Sequence, residues 1–181
     1  MIRLITLDKL DPTDLAALKH SLWAAFALGT EHAGDRPMPR DVAGKDGRVD
    51  AVRLLAEVDP IRLVADDKVL YLTAAPLSLQ AGPLGEPPCW GFAEYGLQRA
   101  VVSLARLPAR GVSEASVDVW RRRLAREAIH AIGHLWDLHH CYDARCAMHP
   151  SWTQHLSAAP EADLCTFCRE KSERKIRLAK S

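Results

Sequence analysis

Apolar and polar residues alternate from Ile2 to Leu7, the period of a strand with one covered face. Asp11-Pro12 predicts a helix start, with Asp as the cap and Pro in the first turn. Leu15, Leu18, Leu22 and Phe26 then recur at helical spacing and share one face. Gly29 predicts the stop, and residues 33–48, rich in Gly, Pro and Asp, predict a long loop. Val49, Val52 and Leu55 predict a second helix ending at Asp59-Pro60. Ile61 to Val64 and Val69 to Thr73 read as strands parted by a turn at Asp66-Asp67. Residues 74–89 hold Pro76, Pro83, Pro87 and Pro88 with Gly82 and Gly85, and predict irregular chain. Trp90 to Tyr95 predicts a short edge strand, and Ala100 to Leu107 (AVVSLARL) carries the clearest strand pattern. Ser113 or Ser116 caps a long helix that runs to about Trp136. A Cys- and His-rich loop region follows, and the basic tail from Arg169 to Ser181 predicts a surface helix. The order is mixed strands and helices, then a long helix, then a compact C-terminal lobe, which places the chain in the α+β class.

Composition narrows the setting. A chain of 181 residues with 48% apolar content can bury a core as a single domain over 1–181. The expected division is a sheet-and-helix part over 1–136 and a smaller part over 137–181. The net charge of +1 points to neither nucleic acid nor an acidic membrane surface. The basic tail does not change this, because Glu170 and Glu173 dilute it. No apolar run reaches the roughly 18 residues of a membrane span. MIRLITLDKLDPTD turns acidic too early for a secretory signal, so the expectation is a cytoplasmic monomer.

The candidate chemistry is concentrated. Cys141, Cys146, Cys165 and Cys168 fall in the last 41 residues, and five of the eight histidines lie between His130 and His149. An odd total of five cysteines, with Cys89 matching nothing, argues against a disulfide framework. His130 and His134 stand one turn apart, so both imidazoles leave the same helix face and can reach one ion. His140 can join them if the helix breaks after His134. Three neutral histidines leave one open position on a tetrahedral zinc. The pairs C-x4-C and C-x2-C supply four thiolates, which close a structural zinc site. Two zinc ions per chain are therefore expected.

Residues 130 to 140, HAIGHLWDLHH, resemble the metzincin signature HExxHxxGxxH, with His130, His134 and His140 on the three ligand positions. Cys141, Cys146 and Met148, followed by Cys165 and Cys168, are similar to the CxxxxCxM and CxxC extensions of archaemetzincins. The resemblance implies a metzincin-type zincin domain with a twisted mixed sheet, a long active-site helix and a zinc-stapled C-terminal lobe. It places Met148 beneath the zinc histidines as a packing residue. It also implies a cleft with an edge strand, for which Gly91, Phe92 and Ala93 are the candidate peptide-binding residues.

Two positions depart from the pattern. Ala131 replaces the general-base glutamate, and Asp137 replaces the glycine of the turn. Asp tolerates the left-handed conformation better than most residues, so the turn is expected to survive. Ala131 takes no proton, and loss of that function is typically worth ~10²–10⁴-fold. Asp137, His139 and Glu127 are the nearby groups that could substitute, although Glu127 also suits a surface pair with Arg123. Ala131 fits an introduced inactivation or natural divergence, and Asp137, which inactivation does not require, favours divergence. The implied functions are an impaired peptidase acting on peptides or proteins, a zinc-dependent peptide-binding pseudoenzyme, or a protein whose metals only stabilise the fold.

Overall fold

The computed structural model describes residues 1–44, 47–58, 66–79, 88–107, 110–150 and 162–180. Its main sheet has the order β2-β1-β4-β8-β7. The strands are β1 (Ile2–Thr6), β2 (Thr30–Asp35), β4 (Lys68–Thr73), β7 (Gly91–Ala93) and β8 (Arg99–Ser103). The first four in the sheet are mutually parallel, and β7 closes one edge antiparallel to β8. A small second sheet joins β3 (Val49–Asp50), β5 (Leu77–Ser78) and β6 (Pro88–Cys89).

The two-residue period of the strands sorts their side chains between two cores. Ile2, Leu4, Leu70, Leu72, Ala100 and Val102 face the core that receives α1 (Pro12–Phe26) and α3 (Glu114–Leu135). Ile5, Val69, Tyr71 and Val101 face the other, covered by α2 (Ala51–Glu57). Every residue of β4 is buried, as expected for a central parallel strand covered on both faces. The α+β, three-layer class holds. Cys146, Ala147, Met148, Leu164, Cys168 and Ile176 of the C-terminal region enter the first core. That region includes α4 (Thr166–Ala179). No described helix is long and apolar enough to cross a membrane.

Several boundaries differ from the sequence pattern. The predicted loop at 33–48 begins inside β2, whose sequence TEHAGD has no strand alternation. This strand exists through backbone pairing to β1, with Ile2 opposite Thr30 and Leu4 opposite His32. Helix α1 ends before Gly29, because Ala27 adopts φ 51° and its N–H caps Trp23 O. Strand β8 stops at Ser103, where Leu104 N–H turns to Thr73 O, so Leu107 is buried outside the sheet. The predicted irregular stretch 74–89 contributes β5 and β6. The predicted strand at 61–64 lies outside the described residues. Ser113 is the cap of α3, and its hydroxyl accepts from Ser116 N–H.

Candidate metal centres

Helix α3 delivers His130 and His134 one turn apart on one face. The helix then stops. Trp136 N–H and Leu138 N–H both return to Gly133 O, and Asp137 adopts φ 60°. This is the left-handed turn anticipated for Asp137, and it brings His140 back to the other two rings. The ring centroid of His140 lies 5.2 Å from that of His130 and 5.0 Å from that of His134. One nitrogen from each of the three lies within 4.8 Å of the others.

Backbone groups fix which nitrogen each ring presents. His130 Nδ1 lies 2.9 Å from Ala147 O, and His134 Nδ1 lies 2.8 Å from Leu138 O. A carbonyl only accepts, so both Nδ1 atoms carry the proton and donate. Burial drives the pKa of His130 down to about 3, and burial also lowers those of His134 and His140. The rings are therefore neutral at pH 7, and Nε2 of each of the first two is an unprotonated acceptor. These two Nε2 atoms are only 2.9 Å apart. Two lone pairs held that close suit a cation between them, and carbonyl-oriented histidines are a common arrangement around a metal. The residues present fit a divalent ion with an open position.

The four thiols form a second cluster. Their Sγ atoms lie within 4.8 Å of one another, and all are free cysteines. Cys141 Sγ and Cys165 Sγ are 3.9 Å apart, close to the ~3.8 Å edge of a tetrahedron with zinc–sulfur bonds of about 2.3 Å. Met148 N–H and Cys165 N–H each donate to Cys146 Sγ at 3.4 Å. Burial pushes the Cys146 thiol up to about 11 and raises Cys168 as well. At Cys165 burial opposes ionisation, but the Cys168 N–H and neighbouring thiols outweigh it and the pKa falls. Such a set holds protons without a cation and releases them to one.

Met148 packs against the helix that carries His130 and His134. It is fully buried, and a Cβ at Gly133 would meet its Sδ at 2.3 Å, so Gly133 is the bare spot on α3 against which the sulfur packs. Ala131 is buried in the α3 core face. Glu127 is buried too, and not on the helix surface as expected. Gly91 to Ala93 do form the edge strand, but the absent side chain of Gly91 serves the inner neighbour. A Cβ there would meet Val101 O at 2.5 Å.

Three contributors carry no motif signal. Tyr95 packs its ring 5.7 Å from His134 and 5.1 Å from His139, and its hydroxyl bonds Asp137. Burial and the Asp137 charge push its phenol up to about 12. Lys175 of α4 donates to Asp137 Oδ2 at 2.5 Å and, more than any other group, lowers that carboxyl's pKa. Arg126 is buried one turn before His130, a spacing that the helical period alone could have flagged.

Comparison with known proteins agrees with this geometry. Residues 91–174 match the model of Peptidase family M54. The archaemetzincin of Natronomonas pharaonis is 33% identical over 86 residues, 45% of this chain and 50% of that protein. In sequence the chain thus spans about half the length of the curated relatives it matches. The archaemetzincin crystal structure from Methanopyrus kandleri superposes with a TM-score of 0.75 at 22% identity, covering 97% of this chain and 94% of that one. A zinc-dependent peptidase from Methanocorpusculum labreanum superposes with a TM-score of 0.74 at 21% identity, covering 95% and 100%. The chain is archaemetzincin-like in motif and in fold, and both candidate metal-ligand clusters lie within the stretch that matches peptidase family M54.

Proposed function

We propose that this chain is an archaemetzincin-like zinc protein that engages peptides at the three-histidine site and hydrolyses them poorly. His130, His134 and His140 would hold one zinc ion. Cys141, Cys146, Cys165 and Cys168 would hold a second, structural ion. Zinc at the histidine site supplies a Lewis acid for a peptide carbonyl or a bound water. The observation that carries the reading is the complete ligand set, with Nε2 atoms of His130 and His134 2.9 Å apart, beside Ala131 at the general-base position. Ligand binding does not need that base, whereas moving the water proton to a leaving amine does. Of the groups that could substitute, His139 is exposed beside the ring of Tyr95. Asp137 is engaged by Lys175 and Tyr95, and Glu127 is buried in α3. The unpaired edge of β7 would align the peptide backbone.

A non-catalytic binding module is the second reading, favoured by the same retention of ligands without the base. Metal analysis and Ala131→Glu separate the possibilities. We expect two zinc ions per chain and a gain in peptidase turnover of ~10²-fold or more on restoring the carboxylate. Two ions, no gain and retained peptide binding would move the protein to the binding module. One ion in the unaltered protein refutes the two-centre reading.

A further inference from the structure

The segment 145–148 runs alongside α3 and meets it at three successive places. At the first, Arg126 donates from Nη1 to Arg145 O at 3.3 Å and from Nη2 to Cys146 O at 2.6 Å. At the second, Ala147 O receives the Nδ1 proton of His130 at 2.9 Å. At the third, Met148 Sδ fills the space over Gly133. Arg126 and His130 are four residues apart and share a helix face. Cys146, in the middle of the segment, contributes its Sγ to the thiol cluster. Met148 O also accepts from Cys141 N–H at 2.9 Å, and Cys141 directly follows His140. One short piece of backbone therefore orients a ligand of each centre.

We propose that Arg126 is a positioning residue that couples the two metal centres, by clamping the 145–148 segment so that order imposed at the thiol centre is passed to His130. The inference rests on the reading that both clusters bind metal. Arg126 is 4% exposed, although a guanidinium is costly to bury. Its charge has a use there. Four thiolates around a divalent ion carry a net charge of about −2, and a cation beside Cys146 offsets it. Its planar fork spans two consecutive carbonyls, which a single ammonium cannot match in geometry. The coupling is reciprocal by thermodynamic necessity: metal at either centre tightens the other.

The test is a cobalt titration of the full chain. Cobalt–thiolate charge-transfer absorption reports the cysteine centre, and competition with a chelator reports affinity at the histidine centre. With Arg126 in place, disabling the cysteine centre by Cys165→Ser should weaken cobalt at the histidine centre by roughly 10-fold or more, the scale of a lost contact to a ligand's other nitrogen. Arg126→Met should weaken it similarly while the cysteine centre is loaded. The double variant should lose little beyond either single one, because both act through the same segment. An arginine that only supports the fold would lower the unfolding temperature of the metal-free chain and leave the dependence on the cysteine centre intact. That result, or additive losses in the double variant, overturns the coupling. Arg126→Lys keeps the charge and should recover part of the affinity. Should Arg126→Met fail to fold, the Cys165→Ser and Arg126→Lys titrations still decide. Cobalt bound equally tightly in all variants removes only the coupling, whereas no cobalt at the histidines of the unaltered protein removes both it and the functional reading.

Discussion

Asp137 shows how one residue carries both a cost and its offset. At φ 60° it pays the left-handed penalty that a glycine would avoid, about 1 kcal/mol for a short polar side chain. In exchange its carboxylate receives Lys175 from α4 and the hydroxyl of Tyr95. Side chains of Asp137 and Lys175 are 40% and 41% exposed, so solvent screens the pair and its worth is at most about 1 kcal/mol. The two effects nearly cancel. Asp137→Gly is therefore expected to change unfolding free energy by less than about 1 kcal/mol. Asp137→Val, which meets the same φ with a β-branched side chain and loses both partners, should cost about 2 kcal/mol or more. Urea unfolding of the two variants measures this, and a neutral Asp137→Val would show that the turn is not held as described.

Among the elements, β7 is the one whose sequence signal and structural reason part company. Gly91 was a candidate peptide-binding residue of the edge strand, yet its missing Cβ makes way for Val101 O of β8. Gly91→Ala would set a Cβ 2.5 Å from that backbone oxygen, which no side-chain adjustment can relieve. The expected result is a loss of about 1–3 kcal/mol and faster amide exchange at 91–93 and 100–102. Unchanged exchange in β7 would mean that the strand pairs more loosely than Ser103 N–H to Trp90 O at 2.8 Å implies. The same contrast explains what the sequence could tell. Helices α1 and α3 were legible because caps and apolar spacing are local. The two candidate ligand clusters, which the structure does bring together, were legible because few residue types bind zinc and their spacing is constrained. Strand β2 was not, because TEHAGD is strand-forming only beside β1. Tyr95, Lys175 and the carbonyls of Leu138 and Ala147 were not, because their role depends on a fold that brings distant backbone to α3. Arg126 was half visible: its spacing from His130 is local sequence, but its burial and its partners about twenty residues away depend on the fold.

For the whole molecule, the question is how far the C-terminal region depends on metal. Among the described residues it is joined to the rest by direct bonds from two helices: Arg126 reaches Arg145 O and Cys146 O, His130 reaches Ala147 O, and Arg169 reaches Ala24 O and Ala25 O. Its buried residues also belong to the same core as α1 and α3. Stripping metal leaves four clustered thiols, two of them with raised pKa values, and the neutral nitrogens of His130 and His134 facing each other. With both clusters loaded as proposed, stability would be tied to metal concentration by mass action. A thousandfold excess over Kd at one centre is worth about 4 kcal/mol, or ~10 °C in unfolding temperature for a chain of this size. Chelation at neutral pH should lower Tm by at least that amount. Amide exchange should rise first at 141–148 and 163–172, while β1, β4 and β8, buried on both faces, stay protected until global unfolding. Zinc added back should restore both readouts. If chelation left Tm unchanged, or if sheet and C-terminal region exchanged together at every chelator concentration, the clustered cysteines would not be a metal staple.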